Sequence, residues 1–193
     1  MLRSGLVALA LLLPLPAFAA DMTAPVKEIM AAATENWKDL DANAEEPPYI
    51  DYFSDDFLKR LYSRDFVAKY REAAKYPAYD DGGSPFGYDP IIGGQDGCAL
   101  KDLTEGEPVA KGAATDVTVT FDTTHCFEED RPADWKPVTL VFHLIEEDGR
   151  AVIDDIDREN TEGSGSLKAE LQEMAAAGGQ DDAPDDGAGE GQE

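Results

Sequence analysis

Two stretches of the chain hold acids that could act together. Y88-D-P-I-I-G-G-Q-D96 carries Tyr88, Asp89, Gln95 and Asp96, and V152-I-D-D-I156 carries Asp154 and Asp155. Two carboxylates in unlike surroundings have their pKa values pushed apart and can then serve as acid and base. Adjacent residues on a strand point to opposite faces, so only one of Asp154 and Asp155 can turn inward. Its meeting with Asp89 or Asp96 would make such a pair. Alternatively, Gln95 and Asp96 face the mouth of a pocket and bind a polar ligand. A third use is structural. Asp89 precedes a proline and is held extended, Gly93 and Gly94 admit positive φ, and short acids bond nearby backbone in turns. Ile91 and Ile92 would then plug the core. The structural use comes first. Tyr88, Asp89, Gln95, Asp96, Asp154 and Asp155 stand as ligand-binding candidates, and no residue is assigned a catalytic role.

Other chemistry is sparsely supported. Cys98 and Cys126 are the two cysteines. Behind an export signal, a single pair reads as one disulfide. The competing use, a Cys126 nucleophile beside His125, fails if the two lie on a strand, because neighbours then face opposite ways. D80-D-G-G-S84 lacks the alternating ligand spacing of a calcium loop. His125 and His143 stand alone, without a helical or C-x-x-C partner. No nucleophile elbow, phosphate loop or dinucleotide fingerprint occurs. No metal and no cofactor is therefore expected.

The elements that must position these residues follow from periodicity. Thr23 can cap a first helix with Pro25 in its first turn, and Val26, Ile29, Met30, Ala33 and Trp37 recur at helical spacing. Ser54 caps a second helix, helped by Asp55 and Asp56 at its positive end. Its apolar stripe continues past a kink to about Lys75. Residues 76–88 form a loop dense in Pro, Gly and Tyr. Ala99 to Lys111 is a polar strand candidate. Asp116 to Phe121 alternates cleanly, and Val138 to Ile145 is apolar on both faces. Asp148-Gly149 marks a hairpin into a strand over Ala151 to Ile156. A short helix closes the pattern at Ser166 to Ala176. Helices followed by an antiparallel meander imply an α+β fold, with the helices packed on one face of a curved sheet.

The ends set the compartment and the charge. Arg3, the apolar run Leu6 to Leu13 and Ala17-Phe18-Ala19 have the order of a cleaved signal peptide over residues 1–20. The run is too short to span a bilayer. The protein is therefore expected in a bacterial periplasm or outside the cell, with no membrane insertion once the signal is removed. The 193 residues carry a formal net charge of −25. That field repels phosphate backbones, so no nucleic-acid partner is expected. Residues 178–193 hold only Gly, Ala, Pro, Gln and acids, a composition that stays disordered. Between them, residues 22–160 form a single domain and 161–177 a linker with the short helix.

Taken together, Y52-F-S-D-D-F-L58, D89-P-I-I-G-G-Q-D96 and V152-I-D-D-I156 resemble domain-of-unknown-function family 3828, exported bacterial proteins. The resemblance runs from about Met22 to Asp157. Members look like the cone-shaped fold of nuclear transport factor 2, in which a curved sheet wraps helices and leaves a pocket. Such chains often carry Trp two residues before the Ile-Asp-Asp run, where this chain has Ala151. The resemblance implies a fold rather than an activity. It also implies that a homodimer could form through the sheet, with which the two-sided strand Val138 to Ile145 is compatible. The expected role is non-enzymatic binding of a small ligand or an envelope protein partner. An acidic inhibitor or immunity-type module, and a hydrolase or isomerase using the pocket carboxylates, are the alternatives.

Overall fold

The computed structural model describes residues 20–40, 45, 47–79, 83–130 and 134–181. The stretch before Ala20 that the sequence suggests as an export signal, the end of the acidic tail and residues 80–82 of the acidic loop lie outside the described residues.

Helix α1 (Ala24–Asn36) buries Val26, Ile29, Met30 and Ala33, the stripe its spacing predicts. Pro25 sits in the first turn, where it has no intrahelical N–H bond to lose. Thr23 holds the N-cap position without capping. Its backbone is helical, and its hydroxyl and N–H both donate to Asp21 Oδ1, at 2.8 and 3.0 Å. The kinked second helix is two helices, α2 (Asp55–Leu61) and α3 (Arg64–Ala73). Each starts at a serine. Ser54 Oγ accepts the Phe57 N–H at 3.4 Å and Ser63 Oγ accepts the Phe66 N–H at 3.0 Å. Tyr62 between them is extended, and the Ser63 N–H donates to the Ile153 carbonyl at 2.8 Å. Pairing with the sheet thus replaces the helical bond that a continuous helix would make.

The described strands form one antiparallel sheet: β1 (Lys101–Glu105), β2 (Val109–Lys111), β3 (Ala114–Asp122), β4 (Val138–Glu147), β5 (Arg150–Glu159) and β6 (Gly165–Ser166). Their order is β1-β3-β4-β5-β6, with β2 also on β3. The polar candidate Ala99 to Lys111 therefore divides into two short strands along one edge of β3. They are interrupted at Gly106-Glu107-Pro108, and Pro108 has no N–H to offer a ladder. The β4–β5 turn has positive φ at both Asp148 (52°) and Gly149 (75°), as a tight right-twisted hairpin requires. Helix α4 (Leu167–Asp181) docks on α3 and β5 through buried Leu167 and Leu171. It passes Ala176, so it includes the first residues of the segment assigned to the tail.

All four described α-helices lie against β5. They cover Val117, Val119 and Phe121, then Leu140, Phe142 and Leu144, then Ile153 and Ile156. The fold is α+β, with helices on one face of a curved, unclosed sheet. Part of the curvature has a local cause. His143 pairs with Asp155 and Leu144 with Ile153, leaving Asp154 as an extra residue. A bulge of this kind bends and twists its strand. On the opposite face Thr139, Val141, His143 and Ile145 are half-buried. No helix among the described residues is long and apolar enough to cross a membrane.

Cys98 and Cys126 are joined, with Cα atoms 6.0 Å apart. His125 and Cys126 lie in a 3-10 segment, His125–Asp130, and not on a strand. The sulfur is excluded as a nucleophile by the bridge itself rather than by strand geometry. The bridge spans 28 positions, and a loop of that length is worth about 3–4 kcal/mol by its effect on the unfolded chain. Urea denaturation with and without reductant should show a loss of that order. A change below about 1 kcal/mol would mean that the loop is already restrained in the unfolded state.

Candidate functional site

The segment Y88-D-P-I-I-G-G-Q-D96 is a tight turn, closed by the Asp89 N–H donating to the Gly94 carbonyl at 3.1 Å and the Gly93 N–H donating to the Asp89 carbonyl at 2.8 Å. Ile91 and Ile92 are buried beneath it. Gly93 has φ +79°, and a Cβ there would stand 2.2 Å from Thr161 Cβ, so the position excludes every other residue type. Asp89 Oδ1 accepts the N–H groups of Ile91 and Ile92 at 2.9 and 3.0 Å. Up to this point the turn is the structural device that the sequence suggests.

Its other oxygen does more. Asp89 Oδ2 accepts Trp37 Nε1–H at 2.8 Å, the Tyr52 hydroxyl at 3.0 Å and the Tyr49 hydroxyl at 3.3 Å. Trp37 ends α1. Tyr49 and Tyr52 belong to the chain just before α2. Asn36 holds that chain against α1, because its Nδ2 donates to the Ile50 carbonyl at 3.0 Å and its Oδ1 accepts the Ile50 N–H at 2.8 Å. One carboxylate thus gathers three rings from two separate elements. Burial and the Asp89 charge together hold the Tyr49 and Tyr52 hydroxyls far above the ordinary tyrosine range, so both stay protonated donors.

These rings wall a cavity of about 540 Å³. Tyr52, Phe53, Tyr70 and Phe86 form its buried floor, Trp37 and Tyr88 its half-buried sides, and Tyr49 and Tyr79 its exposed rim. Phe53 stacks on Tyr70 with centroids 4.7 Å apart and packs against Phe86 at 5.6 Å. Asp51 and Asp89 add two carboxylates, and Gln95 stands at the wall as an exposed amide. Burial, assisted by the charge of Asp51, pushes the Tyr70 hydroxyl up to about 12.

The six candidate residues separate in space. Tyr88, Asp89 and Gln95 meet at the cavity, whereas Asp96 is exposed and borders a different depression with Thr123, Thr124 and Trp135. Tyr88 gives only its ring to the cavity. Its hydroxyl donates to Glu170 at 2.7 Å and accepts Arg158 Nη1–H at 2.8 Å. Asp154, in the bulge, accepts Ser63 Oγ–H at 2.7 Å and Lys168 Nζ–H at 2.8 Å. Asp155 accepts Ser166 Oγ–H at 2.6 Å and the Lys168 N–H at 2.9 Å, which caps α4 from a neighbouring strand. Both acids of the V152-I-D-D-I156 run are therefore committed to fastening β5 to α3 and α4. Neither takes a place at the cavity. The cage residues Trp37, Tyr49, Asp51 and Tyr52 were missed as a group. Only the aromatic density of the chain from Tyr49 to Phe53 hinted at them.

A second groove, of about 690 Å³, lies between α2, α3 and the β4–β5 turn. It is the larger, but its charges are mixed. Arg64 pairs with Glu147 and Asp148 at 3.3 and 3.1 Å, and Arg71 reaches Asp55 at 3.8 Å. The aromatic cavity combines uniform lining with uncompensated charge and is the candidate site. No group of three or more His, Cys, Asp or Glu that could hold a metal ion occurs among the described residues.

On the outer sheet face, His143 lies between Asp116 of β3 and Asp157 of β5, at 2.7 and 3.0 Å, with Asp155 opposite in register. Burial pulls its pKa down, the two carboxylates pull it up, and the net shift is upward. Its stabilising contribution is therefore fully present below the unfolded value of about 6.5 and is lost as pH rises through the higher folded value. Melting curves of the parent protein and His143→Gln should differ most near pH 5 and converge at about pH 9. A gap that stays constant across that range would remove the imidazolium from the account.

No family model, curated protein or solved structure matches the chain.

Proposed function

We propose that this is an exported, non-enzymatic binding domain whose ligand is a small molecule held in the aromatic cavity. The observation that carries the reading is the cavity itself: an open hollow of about 540 Å³ lined by eight aromatic side chains, three of which one carboxylate gathers. Ligand sites in general have this volume and this mixture of apolar walls with a few placed polar groups. The order of charge, apolar run and small residues at the N-terminus supports export, and the resemblance to family 3828 supports a pocket-bearing cone. The acid–base alternative draws no support from its proposed residues, because Asp96 borders another depression while Asp154 and Asp155 hold β5 to the helices.

Native mass spectrometry tests the proposal on protein secreted from the full sequence and purified gently. An additional small mass, released on denaturation and diminished by Tyr52→Phe, is the expected result. A protein that arrives empty, and whose Trp37 emission is unmoved by a small-molecule extract of the same cells, would sink it. Trp37 can be read alone in a Trp135→Phe background, because the chain has only these two tryptophans.

A further inference from the structure

We infer that the ligand of the aromatic cavity is an organic cation, an alkylated or quaternary ammonium group with Asp51 and Asp89 as its counter-charges. The inference rests on the small-ligand reading above and adds the ligand's chemical class.

The lining carries the argument. Its charged members are two carboxylates, and no Lys, Arg or His lines the cavity among the described residues. Neither carboxylate has an ion-pair partner among the described residues. The five donors around Asp89 are backbone N–H groups, an indole and two phenols, all neutral. They spread its negative charge without cancelling it. Among the described residues Asp51 accepts only the Phe53 N–H, at 2.8 Å on Oδ1, and its other oxygen is left for a ligand. The nearest buried cation, Arg158 behind Tyr88, is already paired with Glu170. An anion entering this space would meet two carboxylates at close range with nothing to offset them.

The rings point to the same class. Aromatic faces are negative, so a cation lying over one of these rings is attracted by it. An alkylated ammonium also meets them with apolar surface, and its charge is spread too thinly to need a full hydration shell. Tyr70, only 7% exposed, adds its ring to the cavity floor. The long-range field agrees, since a formal net charge of −25 raises the local concentration of cations around the molecule.

Choline and 3,3-dimethylbutan-1-ol test the charge directly, because the second replaces the ammonium nitrogen by carbon and keeps the shape. Both are titrated into ligand-free protein from the full sequence, with Trp37 emission and calorimetry as readouts. Choline is expected to bind roughly tenfold or more tightly than its neutral isostere. Asp51→Asn keeps the acceptor for the Phe53 N–H and is expected to narrow the preference severalfold, Asp89 and the rings keeping the remainder. Equal affinity in the parent protein would overturn the cationic assignment, as would a choline preference that Asp51→Asn leaves undiminished. Glucose or butyrate binding where choline does not would also overturn it, yet leave the small-ligand reading standing. Failure of every probe, together with an empty native mass, would bring down both.

Discussion

Glu170→Ala should destabilise the protein by roughly 3–5 kcal/mol, the cost of leaving a buried charge without its partner. The charge in question belongs to Arg158. Its side chain is 1% exposed, and it is the largest fully buried side chain among the described residues. Its guanidinium donates to Glu170 through Nη2, to the Tyr88 hydroxyl through Nη1 at 2.8 Å, and to the Gly165 carbonyl through Nε at 3.5 Å. Removing the carboxylate withdraws the only opposite charge that Arg158 touches. A loss of this size corresponds to a fall in melting temperature of about 10 °C for a domain of this length. Arg158→Met with Glu170→Leu should recover much of the loss, because a well-packed apolar pair needs no compensation. A double-mutant cycle checks this. If Glu170→Ala melts within a degree or two of the parent, water must reach the guanidinium and the triad is a surface pair in energetic terms. The triad also fixes the ring of Tyr88 at the cavity wall, so its loss should weaken the proposed ligand binding alongside stability.

Asp89→Asn is the second substitution with a large expected effect, about 2–3 kcal/mol. Hydrogen bonds to a charged group are worth more than neutral ones, and a donor left facing a donor bears the full desolvation penalty. The amide oxygen of Asn can serve the Ile91 and Ile92 N–H groups in place of Oδ1. Its NH2 then faces Trp37 Nε1–H, which can only donate. Tyr49 and Tyr52 can turn and accept, but the indole cannot. Near-ultraviolet circular dichroism should report the loosened Trp37 and tyrosine rings, and thermal melting should report the stability loss. Asp89→Asn with both signals unchanged would show that the three rings are held by packing alone.

Much of the scaffold was legible before any coordinates. The spacing of Val26, Ile29, Met30 and Ala33, the alternation of Val117, Val119 and Phe121, and the Asp148-Gly149 turn each state a local rule that the backbone obeys. Where a boundary moved, a distant contact moved it. The pattern through Phe57 and Phe66 reads as one helix, yet the Ser63 N–H finds the Ile153 carbonyl across the sheet and splits it. Thr23 looks like a cap, but Asp21 competes for its hydroxyl.

The candidate site was legible only in fragments. Asp89 was singled out for its turn, and its two backbone bonds span two and three residues. Its bonds to Trp37, Tyr49 and Tyr52 span 52, 40 and 37 residues. Asp154 and Asp155 looked like pocket acids because their serine and lysine partners lie on other elements. Composition, periodicity and turn chemistry act over a few residues, so the sequence by itself determined the element types, their order, the single disulfide and the acidity of the molecule. Which elements pack together depends on the summed burial of all of them at once. Only the tertiary structure could therefore decide that Asp89 gathers three rings, that Arg158 is buried with Glu170, and that the cavity carries negative charge without a cation of its own among the described residues.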